Sequence, residues 1–187
     1  MKTNCCDSNQ SKDNDHLDHK DAIQERYGSA ALEKENCLCT PVGFNPALLE
    51  AIPKEVIERD YGCGDPTKYV NRNDIVLDLG SGSGKNAFIC AQIVGKKGKV
   101  IGVDQNPDML CLSRSASKEV TKNIGFNNTE FLEGSIEKLD ELDKDLNPLI
   151  ADKSVDIILS NCVLNLVSPE SRNKLLSNIR RVLKDNG

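Results

Sequence analysis

The sequence lacks the features of several large functional classes. No apolar run in its 187 residues approaches the roughly 18 that a membrane-spanning helix needs, and Met1 to Asp7 is no apolar leader, so a soluble, cytoplasmic protein is expected, with no membrane partner. It lacks a basic excess: 24 Lys and Arg stand against 29 Asp and Glu, for a net charge of −5. That balance offers no field for a phosphate backbone, so a small-molecule substrate is expected and a nucleic acid is not. It lacks a C-x-x-C pair, and Cys37-x-Cys39 has the wrong spacing for a zinc knuckle, so no structural zinc is expected. Histidine is almost missing as well. The only two, His16 and His19, sit in a polar N-terminal stretch without partners that would make them ligands.

What the chain has in quantity is cysteine, at positions 5, 6, 37, 39, 63, 90, 111 and 162. Eight are too sparse for a disulfide scaffold and in a reducing compartment are thiols at rest. Each therefore needs a local reading. The vicinal Cys5-Cys6 pair reads as mobile bystanders, while Cys90 and Cys111 fall within helical patterns as small hydrophobe and bystander.

The organising stretch is Ile75-Val76-Leu77-Asp78-Leu79-Gly80-Ser81-Gly82-Ser83-Gly84, an apolar strand running into a glycine-rich turn. A dinucleotide fingerprint spaces its glycines as G-x-G-x-x-G; here the third comes too early. A Walker A loop would need a longer gap before Gly84-Lys85 and a hydroxyl where Asn86 stands. The D-x-G-x-G-x-G pattern that remains resembles the class I S-adenosylmethionine (SAM) methyltransferases.

Residues 1–20 are too polar to offset their ordering entropy and read as a disordered tail. Residues 21–70 read as a helical segment with cysteine loops. A short helix runs from Asp21 to Gly28, a loop carries Cys37 and Cys39, and an interrupted apolar stripe follows the Asn45-Pro46 start with Leu48, Leu49, Ile52, Val56 and Ile57. Cys63 lies between Gly62 and Gly64, where glycines permit close backbone approach, and a cysteine so placed reads as functional.

Residues 71–187 alternate strand and helix. A helix over 85–94 ends at Gly95, and Lys99 to Asp104 forms a second strand whose terminal carboxylate stands 20 residues past Gly84. At that distance Asp104 suits the two hydroxyls of an adenosine ribose, although capping the helix that starts near Asn106-Pro107 is the alternative. That helix is expected to run to about Val120. Thr129 to Leu132 forms a third strand, followed by Gly134-Ser135-Ile136-Glu137, where a backbone amide and a small side chain can meet an adenine ring. Residues 138–153 read as a surface excursion. Ser154 to Ser160 reads as a fourth, central strand buried on both faces, and a helix over 169–183 carries Leu175, Leu176, Ile179, Val182 and Leu183 on one stripe. The alternation predicts an α/β, doubly wound parallel sheet with its ligand at the carboxyl ends of the first and fourth strands. Cys162 falls just past the fourth strand, at the mouth of that crevice.

With these residues placed, the chain from Ile23 onward resembles the arsenite methyltransferase family, in its microbial branch more than its animal one. The resemblance rests on Tyr61-Gly62-Cys63-Gly64, Asp78 to Gly84, Gly102-Val103-Asp104 with Met109, Gly134 to Glu137, and Ser160-Asn161-Cys162-Val163-Leu164-Asn165-Leu166. It implies a Rossmann-like, SAM-dependent enzyme of arsenic detoxification, with cofactor contacts from Tyr61, Asp78, Gly80, Ser81, Gly82, Gly84, Asp104, Gln105, Met109, Ser135, Ile136, Glu137 and Asn161. It also implies that Cys162, with a further cysteine beyond Gly187, holds trivalent arsenic. Cys63 would be a second arsenic-site thiol that takes part in thiol and disulfide steps with Cys39 or Cys37; the spacing leaves both partners open. Against the family pattern, the chain is expected to be truncated after the fourth strand and helix.

The chemistry gives thiols a reason of their own. Trivalent arsenic is soft and prefers thiolates. With its lone pair facing the methyl group at about 3 to 3.5 Å, transfer is a displacement promoted by positioning, with no general base needed. Pentavalent product would take two electrons from a cysteine pair, leaving a disulfide for thioredoxin or glutathione to reduce. Two alternatives remain open at this point: a SAM-dependent C- or O-methyltransferase of a small metabolite, and a non-catalytic SAM- or metalloid-binding fragment.

Overall fold

The computed structural model describes residues 43–60 and 64–187. Four parallel strands, β1 (Ile75–Leu79), β2 (Lys99–Asp104), β3 (Thr129–Glu133) and β4 (Ile157–Ser160), lie in the order β3-β2-β1-β4. The chain steps outward from β1 to β2 and β3, then returns to the other side of β1 as β4. The reversal falls between β1 and β4, as the doubly wound reading requires.

Side chains alternate between the two faces of the sheet, and each face has its own core. Val76, Val100, Phe131 and Leu159 pack under α3 (Lys85–Val94) and α4 (Pro107–Ile124). Leu77, Leu79, Ile101 and Val103 pack against Leu139, Ile150, Val167 and the Leu175 and Val182 side of α5 (Pro169–Val182). The N-terminal stripe forms two short helices, α1 (Pro46–Leu49) and α2 (Lys54–Glu58), separated at Pro53. Phe44, Ile52 and Val56 join the first core, so this segment seals the sheet instead of standing apart from it.

Four expectations change. The α4 helix runs on to Ile124, because Ile124 still packs on the core and the left-handed stop is Gly125, at φ 84°. The β4 strand starts three residues late: the Ser154 and Val155 amides turn to the Val182 carbonyl, and the Asp156 carboxylate accepts from the Ile75 amide at 2.8 Å. It is also the edge of the described sheet, so Ile157 and Ile158 are only half-buried. The 138–153 excursion is pinned at both ends: Leu139 and Ile150 are buried, and the Arg181 guanidinium donates to both of their carbonyls at 2.9 Å. On α5 the buried stripe runs through Leu175, Asn178 and Val182, leaving Leu176 62% exposed.

Candidate functional site

The register brings the carboxyl ends of three strands to one edge, since Leu79 pairs with Val103 on one side and Ser160 on the other. Beyond Leu79 the Gly80 and Ser81 amides both donate to the Val103 carbonyl, at 2.8 and 3.1 Å, which folds the turn back over β2. Gly80, Gly82 and Gly84 all have left-handed φ, at 72°, 52° and 89°. Their surroundings differ. A Cβ on Gly80 would lie 2.5 Å from Val163 Cγ2, and one on Gly84 2.9 Å from Phe131 Cζ. On Gly82 it would meet nothing within 4 Å. Two of the glycines therefore admit protein neighbours, and the middle one leaves its outer face open.

Asp104 ends β2 against this turn. Its Oδ2 accepts from the Gly82 amide and its Oδ1 from the Asn106 amide, each at 2.8 Å. Burial pushes its carboxyl up, and the amides of Asn106, Gly82 and Gln105 pull it down. The capping alternative is filled by Asn106, whose Oδ1 accepts from the Asp108 and Met109 amides at 2.9 and 3.1 Å. Met109 is buried in the first turn of α4, and Gln105 is exposed. The Gly134 amide donates to the Asp104 carbonyl at 2.9 Å, which sets the half-buried Ser135, Ile136 and Glu137 beside the same edge.

Asp78 lies beneath the turn, 1% exposed, and its Oδ2 has no hydrogen-bond partner among the described residues; the buried Ser81 hydroxyl has none either. Burial, then the nearby Asp60 and Asp104 carboxylates, push the Asp78 carboxyl up to about 7 against the opposing pull of Lys85. Across the switch, the half-buried Asn161 and exposed Cys162 follow β4, and Cys162 has a left-handed φ of 59°. Left-handed backbone is costly for a side chain with a Cβ. Here it turns the chain so that Val163 packs on Gly80.

Sequence reading missed the support beneath the turn. The Lys85 ammonium is fully buried, ion-paired with Asp60 and 4.3 Å from the centre of the Phe44 ring. The Ser83 hydroxyl donates to the Val56 carbonyl at 2.9 Å. The available signal was a lone cation opening an otherwise uncharged helix, Lys85–Val94. Tyr61, Cys63, Cys37 and Cys39 lie outside the described residues, as do the expected tail and the Asp21 to Gly28 helix. Among the described residues no cluster of three or more His, Cys, Asp or Glu could hold a metal ion, and Cys162 is the only thiol at this edge, Cys90 being buried and Cys111 exposed on α4.

Residues 70–187 match a family model described as a methyltransferase domain. The chain belongs to that methyltransferase family. It is 36% identical over 179 residues to an arsenite methyltransferase of Rattus norvegicus, covering 90% of this chain and 46% of that protein. An arsenite methyltransferase of Aquipseudomonas alcaligenes is 35% identical over 174 residues, covering 89% of this chain and 48% of the relative. The crystal structure of an arsenic(III) SAM methyltransferase from Chlamydomonas reinhardtii superposes with a TM-score of 0.67 at 38% identity, covering 76% of this chain and 46% of that one. The resemblance to arsenite methyltransferases thus holds. Identities of 36% to the rat protein and 35% to the bacterial one do not separate the animal and microbial branches. The chain spans about half the length of these relatives.

The fold is that of the class I SAM-dependent methyltransferases, and SAM is the cofactor. The residues present fit it: the face over Gly82 is open, the Asp104 carboxylate is held at the rim, and Asp78 has a buried oxygen without a partner among the described residues. No helix among the described residues is long and apolar enough to cross a membrane.

Proposed function

We propose that the whole protein transfers a methyl group to trivalent arsenic held on cysteine thiolates, as a step in cytoplasmic arsenic detoxification. The observation that carries this reading is the placement of Cys162, exposed and in a left-handed turn one residue before the valine that packs on Gly80. It puts a soft ligand at the strand end next to the cofactor turn. The arsenite methyltransferase names of the relatives support the same reading.

Bound SAM supplies an electrophilic methyl group. The chain's part is to hold and orient: Asp104 accepts from the ribose side, the Gly80 to Gly84 turn leaves room for the backbone to approach, and Cys162 holds arsenic as substrate. Cys63 and either Cys39 or Cys37 would supply two electrons to return pentavalent product to the trivalent state, forming a disulfide that thioredoxin or glutathione reduces. No step requires a general base, which suits a site edge without histidine among the described residues.

The test uses full-length protein with SAM, arsenite and a thiol reductant, followed by detection of methylarsenicals. Cys162→Ser should abolish product and Cys63→Ser should slow turnover after the first methyl transfer, and normal turnover by either variant contradicts the assignment. Normal methylation of a carbon or oxygen acceptor without arsenic methylation would favour the small-metabolite reading.

A further inference from the structure

The buried charges beneath the glycine turn do not balance. Asp78, Asp60 and Asp104 come from three different places: the end of β1, the residues following α2, and the end of β2. The Asp60 and Asp104 carboxylates both act on Asp78, and the cation acting on it is Lys85, whose ammonium is already paired with Asp60. The remaining titratable neighbour on α3 is Cys90, buried, whose thiol is pushed up by burial and then by Asp78 and Asp65, so it adds no charge at neutral pH. Asp78 is thus a wholly buried carboxyl, beside two other carboxylates, with one oxygen lacking a donor among the described residues. A lone buried carboxylate costs several kcal/mol, so such a group holds a proton until a cation replaces it.

The cofactor brings such a cation. It carries ribose hydroxyls, matched to Asp104, and an amino-acid arm ending in an ammonium. Among the described residues Asp78 is the one buried carboxylate at this edge with an oxygen lacking a partner; the unpartnered Ser81 hydroxyl and Asn86 Oδ1 nearby are neutral.

We propose that Asp78 is protonated in the cofactor-free protein and releases that proton to solvent when the ammonium arm of SAM enters, so that cofactor binding is an exchange of a proton for a cation. The balance is simple: one ammonium goes in, one proton leaves Asp78 Oδ2 for the buffer, and the buried charge stays constant. Binding then tightens as pH rises toward neutrality. The inference depends on the cofactor and not on the arsenic reading.

Calorimetric titration of the unmodified 187-residue chain with SAM, in buffers of different ionisation enthalpy, counts the protons released. Release should approach one proton per SAM at acid pH and fall as pH rises through about 7. The SAM Kd should weaken toward tenfold per pH unit below that range. Adenosine, which lacks the ammonium, should release none. Asp60→Asn removes a neighbouring carboxylate and should move the midpoint of release to lower pH, and Asp78→Asn should abolish release. A binding enthalpy that is the same in every buffer overturns the proposal. So does equal release with adenosine, an unmoved midpoint in Asp60→Asn, or the absence of saturable SAM binding. The two ligand titrations use unmodified protein and decide the matter even if neither variant folds.

Discussion

The two sides of the topological switch are built differently. On the β1–β2 side, the glycine turn is held by amide bonds to Val103 and Asp104, by the Ser83 bond to Val56, and by the buried Lys85–Asp60 pair below it. On the β4 side, the Asn161–Cys162 turn is mostly exposed and meets the rest of the site through Val163 on Gly80. The cofactor side is preorganised at the expense of buried charge. The Cys162 side is open, which is what the proposed uptake of arsenic and exchange of thiol partners there would require.

The largest effect should come from breaking the support. Lys85→Met leaves Asp60 buried without its cation, and urea unfolding should show a loss of about 3 to 5 kcal/mol, with Lys85→Arg recovering part of it. Next is the contact joining the sides. Gly80→Ala imposes a Cβ on a left-handed residue and drives it into Val163, for a loss of roughly 2 to 4 kcal/mol by the same measurement. Gly82→Ala sharpens the contrast: it has the same backbone cost without a clash, so it should cost only about 1 to 2 kcal/mol while weakening SAM binding measured by calorimetry.

The pH dependence of stability, spread over several pH units, has a definite sign. Asp78 titrates at about 7 in the fold against 3.8 in its ordinary state, so between those values the native protein holds a proton the unfolded chain has lost. Cofactor-free stability should therefore be full at the acid end of the window and fall as pH rises through it, by at most about 1.4 kcal/mol per pH unit. Denaturant midpoints measured from pH 4.5 to 7.5 should show this slope in the unmodified protein and not in Asp78→Asn.

Much of the cofactor side was legible because its signals are local. An apolar run ending in glycines reads as a strand and a tight turn, and the place of Asp104 at the end of β2 was legible from the β-branched run before it. Lys85 was not legible, because a lysine is almost never fully buried unless paired, and its partner Asp60 lies 25 residues away in sequence. The same limit hid Leu139 and Ile150, which are buried without any period and whose own carbonyls are held by Arg181. The fourth strand's start was misjudged because Ser154 and Val155 belong to hydrogen bonds with the end of α5, which no run of apolar residues reveals. On the acceptor side the sequence singled out Cys162, and its left-handed backbone could not be read from residue type.

A built cofactor side stands apart from a thiol proposed to act on substrate alone, and Cys162→Ser in the full-length protein tests that separation most directly. The side chain is exposed, so stability should change by less than about 0.5 kcal/mol and the SAM Kd should stay within about twofold, while methylarsenical formation is lost. Arsenite methylation at the unmodified rate by that variant would contradict the account.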